Sequence, residues 1–468
     1  MSERVMELER RVAELAEAHR HLERRLSALE RRPAAAAPAR RPAPAAGAGP
    51  DLSKEVAAVT KNLALAGRTL LVLAGAFLLR AITEAGAIPT WAGVGLGFGY
   101  AGAWMAMAYR AGNTQPWSAA FHGAAAIVIG FPLLLEATAR LGLLGPVTAS
   151  AALTLLTGVA LVIAARRKLR ALAWLVELGG VLTAIALMQA TGRLAPPVLY
   201  LALVGAATLW LGYVLGWIHL RWPVAVATDL ALVLLTIRAT AAFAAEGPRA
   251  AFLVQAVVTT LYLGSIAVRT LLLQRAVVGF EVAQTAALLA AGLGGAAYVS
   301  VQAGVAQGLV GLVSAGFGIT LYAVAFAFVE HRQPSKANFY FYASVGLVFV
   351  LTGTSLLLSG QSLALGWAAL AVAASALAHG FRRLTLAVHG CAYAVAACLQ
   401  VGALGHAAAT LLSSPSTRWP DATWGMALVV AAMGAAAWLT GASAVAPLQA
   451  RQRAPRAVLL TALAVSSS

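Results

Sequence analysis

The stretch that most constrains this chain is residues 145–192, GPVTASAALTLLTGVALVIAARRKLRALAWLVELGGVLTAIALMQATG. It holds two apolar runs, 146–165 and 171–191, joined by Arg166, Arg167, Lys168 and Arg170. Each run has about twenty residues. As a helix rising about 1.5 Å per residue, that covers a hydrocarbon core of roughly 30 Å. The pattern is a membrane hairpin with a cationic turn.

The same plan recurs. About fourteen apolar runs follow one another: 65–84, 88–109, 116–135, 144–165, 171–190, 196–219, 223–243, 250–268, 277–299, 304–329, 338–358, 361–380, 384–404 and 423–444. Loops after even-numbered runs hold Arg110, the Arg166–Arg170 tip, Arg221, Arg269, Arg275, Arg332, Lys336, Arg382 and Arg383. Odd loops hold Arg80, Arg140, Arg193, Arg249 and Arg418, largely balanced by Glu84, Glu136, Glu246 and Asp421. By the positive-inside rule the even loops and the N-terminus are cytoplasmic. Hairpins begin near Pro89, Pro146, Pro196, Pro248, Gly304 and Gly360, which reads as a tandem repeat of one orientation. Residues 457–465 are apolar but too short to span; a fifteenth span cut short is one reading of this end.

The chain is 60% hydrophobic and only 11% charged, against about 25% charged in a soluble globular protein. Its net charge of +17 would suggest nucleic acid in a soluble chain. Here the excess sits in the N-terminal region and in alternate loops, so it orients spans and implies no nucleic-acid partner. Most tryptophans, Trp91, Trp117 and Trp222 among them, fall near span ends, as an interfacial belt does. Cys391 and Cys398 lie about 10 Å apart on one run, too far for a disulfide, and read as packing residues.

Residues 1–32 form a separate unit. Val5, Leu8, Val12, Leu15, His19, Leu22, Leu26 and Leu29 alternate three and four apart, with leucine at every d position, which favours a parallel dimer through residues 5–29. Residues 33–60 begin PAAAAPARRPAPAAGAGP and read as a Pro/Ala-rich spacer. Residues 61–468 are the multispanning domain. The expected fold is therefore all-α: a polytopic transmembrane bundle of about fourteen spans with a cytoplasmic coiled coil.

Residues 67–89, GRTLLVLAGAFLLRAITEAGAIP, resemble the opening signature of a bacterial predicted-membrane-protein family, domain of unknown function 2339. The features are a Gly-rich first span, Arg80, Glu84 four residues later, then Gly86 and Pro89. The segment GGVLTAIALMQATG at 179–192 is similar to a recurring element of that family. The resemblance implies a bacterial inner-membrane protein of the cell envelope and supplies no catalytic residues.

Three carboxylates lie inside runs. Glu177, Asp229 and Glu281 sit seven, eight and six residues beyond Arg170, Arg221 and Arg275. That places each roughly 9–12 Å from the basic tips. His389 lies six residues beyond Arg383, and His122 shares with it a local His-Gly pair. An acid at mid-bilayer costs about 2.5–3.5 kcal/mol, and intramembrane acids mark function by default. One reading is a set of titratable groups lining a polar path. The other is interhelical hydrogen bonding copied with the repeat. Arg80 and Glu84, one turn apart at the far end of the first span, form either a polar outer mouth or an interfacial pair. Gly95-xxx-Gly99, Gly212-xxx-Gly216 and Gly304-xxx-Gly308 invite close helix approach.

No phosphate loop, HExxH, GxSxG or CxxC is present. No cofactor or metal site is expected, and the chain reads as non-enzymatic. Transport or lipid handling across the inner membrane, with membrane lipids as partners, is the first functional reading. An envelope scaffold recruiting cytoplasmic partners through residues 1–32 is the second. An embedded transferase would need a carboxylate cluster at one membrane face, and only lone acids stand there.

Overall fold

The computed structural model describes residues 71–241 apart from 73, residues 246–329, 336–402 and 424–441, and the isolated positions 67, 70, 457, 458 and 460. The expected coiled coil and spacer lie outside the described residues. Leu71–Ser468 forms one compact unit. Within it every regular element described is helical.

In chain order these are α1 (residues 74–84), α2 (Thr90–Ala111), α3 (Pro116–Ala139), α4 (Pro146–Arg167), α5 (Arg170–Thr191), α6 (Ala195–Leu215) and α7 (Arg221–Ala239). They continue as α8 (Pro248–Leu272), α9 (Gly279–Ala303), α10 (Gln307–Val329), α11 (Lys336–Leu357), α12 (Gly360–Phe381), α13 (Leu384–Gln400) and α14 (Trp424–Gly441). Ten of them, α3 to α12, are long and apolar enough to cross a membrane. The expectation was about fourteen. Five glycines dilute the apolar character of α2, α13 has 17 residues, and α1 and α14 are described only in part.

The helix ends follow from local chemistry. Proline stands in the first turn of α3, α4, α6 and α8, where its missing N–H costs no helical hydrogen bond. Gly192 and Gly216 close α5 and α6 in the left-handed conformation. At two basic tips the same conformation falls to Lys168 (φ 56°) and Arg382 (φ 55°), so the charge is kept where glycine would be less strained.

Two staggered rows run through the first half of the bundle. Along one, α3, α5, α7 and α9 pack in succession; along the other, α4, α6 and α8 do. Members of the first row from α5 onward start at the basic tips, and members of the second start at prolines. Each row is therefore internally parallel and antiparallel to the other. Further along, α10 packs closely on α11, and α12 on both α13 and α14. The α12–α14 core is built largely of alanine, with Ala364, Ala368, Ala371, Ala394 and Ala397 buried, which lets backbones approach.

The faces are sorted inside out. Leu175, Leu178, Leu182 and Ile185 form an exposed stripe on α5; Val226, Leu230, Val233 and Ile237 form one on α7. Buried positions meanwhile include Glu177, Thr228, Gln255, Glu281, Asn338 and His389. Water would not tolerate such continuous apolar faces. Lipid does, and it leaves small and polar residues to hold the helices together.

Candidate functional site

The intramembrane polar residues each have partners of their own. Glu177, on α5, is fully buried. Its Oε1 accepts a hydrogen bond from the Val224 amide at 3.2 Å, near the positive N-terminal end of α7. Its Oε2 is buried without a protein partner. Asp229, on α7, accepts from the Gln284 side-chain amide of α9 at 2.9 Å.

Glu281 stands differently from the other two. Residues 273–278 are not helical, so Glu281 falls in the first turn of α9 and not at the depth of Glu177 and Asp229. It accepts from the Val278 amide at 2.8 Å and caps its own helix. Arg269 Nη1 lies 2.9 Å from both its oxygens, and the Tyr213 hydroxyl donates to Oε1. The Arg269 guanidinium also covers the Tyr213 ring at 4.7 Å. This carboxylate holds a helix start and an ion pair.

The histidines lie on α3 and α13. The His122 ring bonds Ser118 Oγ at 3.1 Å and tilts over Trp104. His389 Nδ1 meets the Tyr322 hydroxyl of α10 at 2.9 Å, and Tyr322 in turn meets Tyr393. None of these five residues lines the three cavities described below.

Arg80 and Glu84 do pair, Nε to Oε1 at 3.1 Å, and they pair with more than each other. Arg80 Nη2 reaches Glu136 Oε1 at 3.2 Å, while Arg140 Nη1 reaches Glu84 Oε1 at 3.1 Å and Glu136 Oε1 at 2.9 Å. The result is a closed square of alternating charge at the ends of α1 and α3. The hydrogen bonds that Arg140 donates to Glu136 and then Glu84 hold its guanidinium above its ordinary value. The missed half of this site carried a signal. Glu136-Arg140 is the Arg80-Glu84 pair in reverse order, 56 residues on. Parallel helices with that offset bring each cation level with the opposite charge.

The square rims a cleft of about 300 Å³, with Gly93, Gly97 and Tyr100 of α2 at its back and Phe77 and Val128 at its apolar edges. A second cavity, of about 280 Å³, lies among α8 to α11 and is almost wholly apolar. It abuts a wide helical turn at Leu289–Leu293, where Gly292 packs against Thr259. A third, of about 550 Å³ and also apolar, opens among α2, α3 and α4.

Among the described residues no three His, Cys, Asp or Glu side chains group to hold a metal ion. Cys391 and Cys398 are free thiols, and Cys398 donates to Met433 Sδ at 2.8 Å.

Ten long apolar helices with outward aliphatic stripes and buried polar contacts define the class: a multispanning helical membrane protein. Comparison with protein-family models, with curated proteins and with solved structures returns no match.

Proposed function

We propose that this chain is a non-enzymatic protein of the bacterial inner membrane that moves or handles a membrane amphiphile, with Glu177 as its proton-binding group. In this reading about fourteen spans form tandem hairpins, the N-terminus and basic tips face the cytoplasm, and membrane lipids are the partners. Kinship with the domain of unknown function 2339 family, through residues 67–89, belongs to the same proposal.

One observation carries it: Glu177 is fully buried among apolar helices, yet one carboxyl oxygen has no protein partner. A carboxyl inside a span carries an insertion cost that a leucine does not, less here than the roughly 2.5–3.5 kcal/mol of the bilayer centre. Asp229 and Glu281 are satisfied by Gln284 and by Arg269, so they support the bundle around it.

The test is lipid movement in proteoliposomes under an imposed pH gradient, read with a fluorescent phospholipid. Wild type should respond to the gradient, and Glu177→Gln should lose that response while eluting as a folded species. Equal responses, or none in wild type, reject the proposal.

The heptads of residues 5–29 favour a second reading, an envelope scaffold that dimerises and recruits cytoplasmic partners through residues 1–32. Deleting residues 1–32 should then abolish the cellular phenotype with membrane insertion intact; a deletion strain that behaves as wild type rejects it.

A further inference from the structure

The geometry points to the Arg80–Glu84–Arg140–Glu136 square and the cleft beneath it as a binding site for one phospholipid bearing a primary ammonium headgroup. The inference names the amphiphile of the lipid-handling reading and the place where it is held.

The square is balanced but not saturated. Every contact within it uses Oε1 of a glutamate, together with Arg80 Nε and Nη2 and Arg140 Nη1. Oε2 of Glu84, Oε2 of Glu136, Nη1 of Arg80 and Nη2 of Arg140 keep their hydrogen-bonding capacity. Side-chain exposure runs from 25% at Glu136 to 59% at Arg140, so the spare atoms are accessible. Two carboxylate acceptors and two guanidinium donors side by side match a zwitterion. A phosphate takes the guanidinium N–H groups, and an ammonium one linker away gives its hydrogens to the carboxylates.

A primary ammonium has three N–H donors, and a trimethylated one has none. An anionic headgroup without a cation would meet the arginines but leave the glutamates facing its charge. The site therefore selects ethanolamine over choline and over glycerol headgroups.

The rest of the cleft suits an acyl chain. It runs from the rim down to Ala76, about 12 Å along α1. Its edges, Phe77 at 63% and Val128 at 58% exposed, face outward where the bilayer supplies the ligand. Gly93 and Gly97 let α2 pack directly against the Thr83 and Leu133 side chains, which closes the back of the cleft. The site lies at the bundle end opposite the basic tips, away from the leaflet surface that cationic loops address.

The experiment is native mass spectrometry of the full chain after incorporation into bilayers of equal parts phosphatidylethanolamine, phosphatidylcholine and phosphatidylglycerol. One additional charge-assisted hydrogen bond corresponds to roughly tenfold or more in retention, so wild type should keep ethanolamine lipid over choline lipid by about that factor. The double variant Glu84→Met/Glu136→Met, which keeps shape but no strong acceptor, should retain the two equally. Val128→Trp, at an already lipid-exposed position, should lower retention of all three while leaving the square intact. Glu177→Gln should bind as wild type does, which separates this site from the transport reading. No headgroup preference in wild type overturns the inference, as does a preference that survives in the folded double variant.

Discussion

Among the described helices α10 and α11 meet backbone to backbone, and a single methyl group should part them. A Cβ added at Gly353 would strike the Ala315 backbone nitrogen and lie 2.8 Å from both Cα and Cβ of that residue. One added at Gly318 would lie 2.8 Å from the Val350 amide nitrogen and 2.9 Å from the Gly346 carbonyl oxygen. Ordinary contact begins at 3.4 Å, so Gly353→Ala forces the pair apart by at least about 0.6 Å. The obstacle is helix backbone, which cannot swing aside, so the cost belongs at the upper end of the roughly 1–3 kcal/mol seen for overpacking.

Gly316, on the same helix α10, has nothing within 4 Å of its added Cβ. There alanine removes only the helix penalty of glycine, a gain of up to about 1 kcal/mol. The two substitutions are chemically identical and should differ by about 2–4 kcal/mol with opposite sign. Denaturant titration of the detergent-solubilised protein, followed by tryptophan emission, measures both. Shifts of the same sign and size would refute the close approach of α10 and α11.

Removing Arg269 should strand Glu281, which is fully buried. Arg269→Met should cost about 3–5 kcal/mol in the same titration, and a loss under about 1 kcal/mol would show that water reaches the carboxylate. Gly205→Ala should clash with the buried Tyr262 hydroxyl and should be partly rescued by Tyr262→Phe; absence of rescue would place the ring elsewhere. The charge square is exposed, so Glu136→Gln should change stability by less than about 1 kcal/mol, and a larger loss would make it a structural clamp.

The spans were legible because a helix in lipid must be apolar over a fixed length, and each helix described overlaps one of the apolar runs. Contacts between helices were less so. The Gly-xxx-Gly pairs pointed to the wrong places. Gly95 and Gly99 meet nothing, and Gly216 and Gly304 serve as left-handed helix ends. Among the glycines that do bring helices together, Gly311 with Gly318 and Gly346 with Gly353 are seven apart, two turns on one face.

Glu281 was placed too deep because its depth was counted from Arg275, which lies in the non-helical residues 273–278, so the helix begins only at Gly279. The partners of Asp229 and His389, Gln284 and Tyr322, come from helices whose pairing no local pattern encodes. The Arg80–Glu84 pair was readable as a pair, and its closure with Glu136 and Arg140 required knowing that α1 and α3 are neighbours.

The central claim is that successive loops lie on opposite sides of a bilayer. Leu143, before α4, and Lys168, at the tip after it, are both exposed and sit at opposite ends of that helix. Single cysteines at these positions, with Cys391 and Cys398 replaced by alanine, can be probed in cells with a membrane-impermeant maleimide. Leu143→Cys should label in intact cells and Lys168→Cys only after permeabilisation. Labelling of both under the same condition would contradict the account.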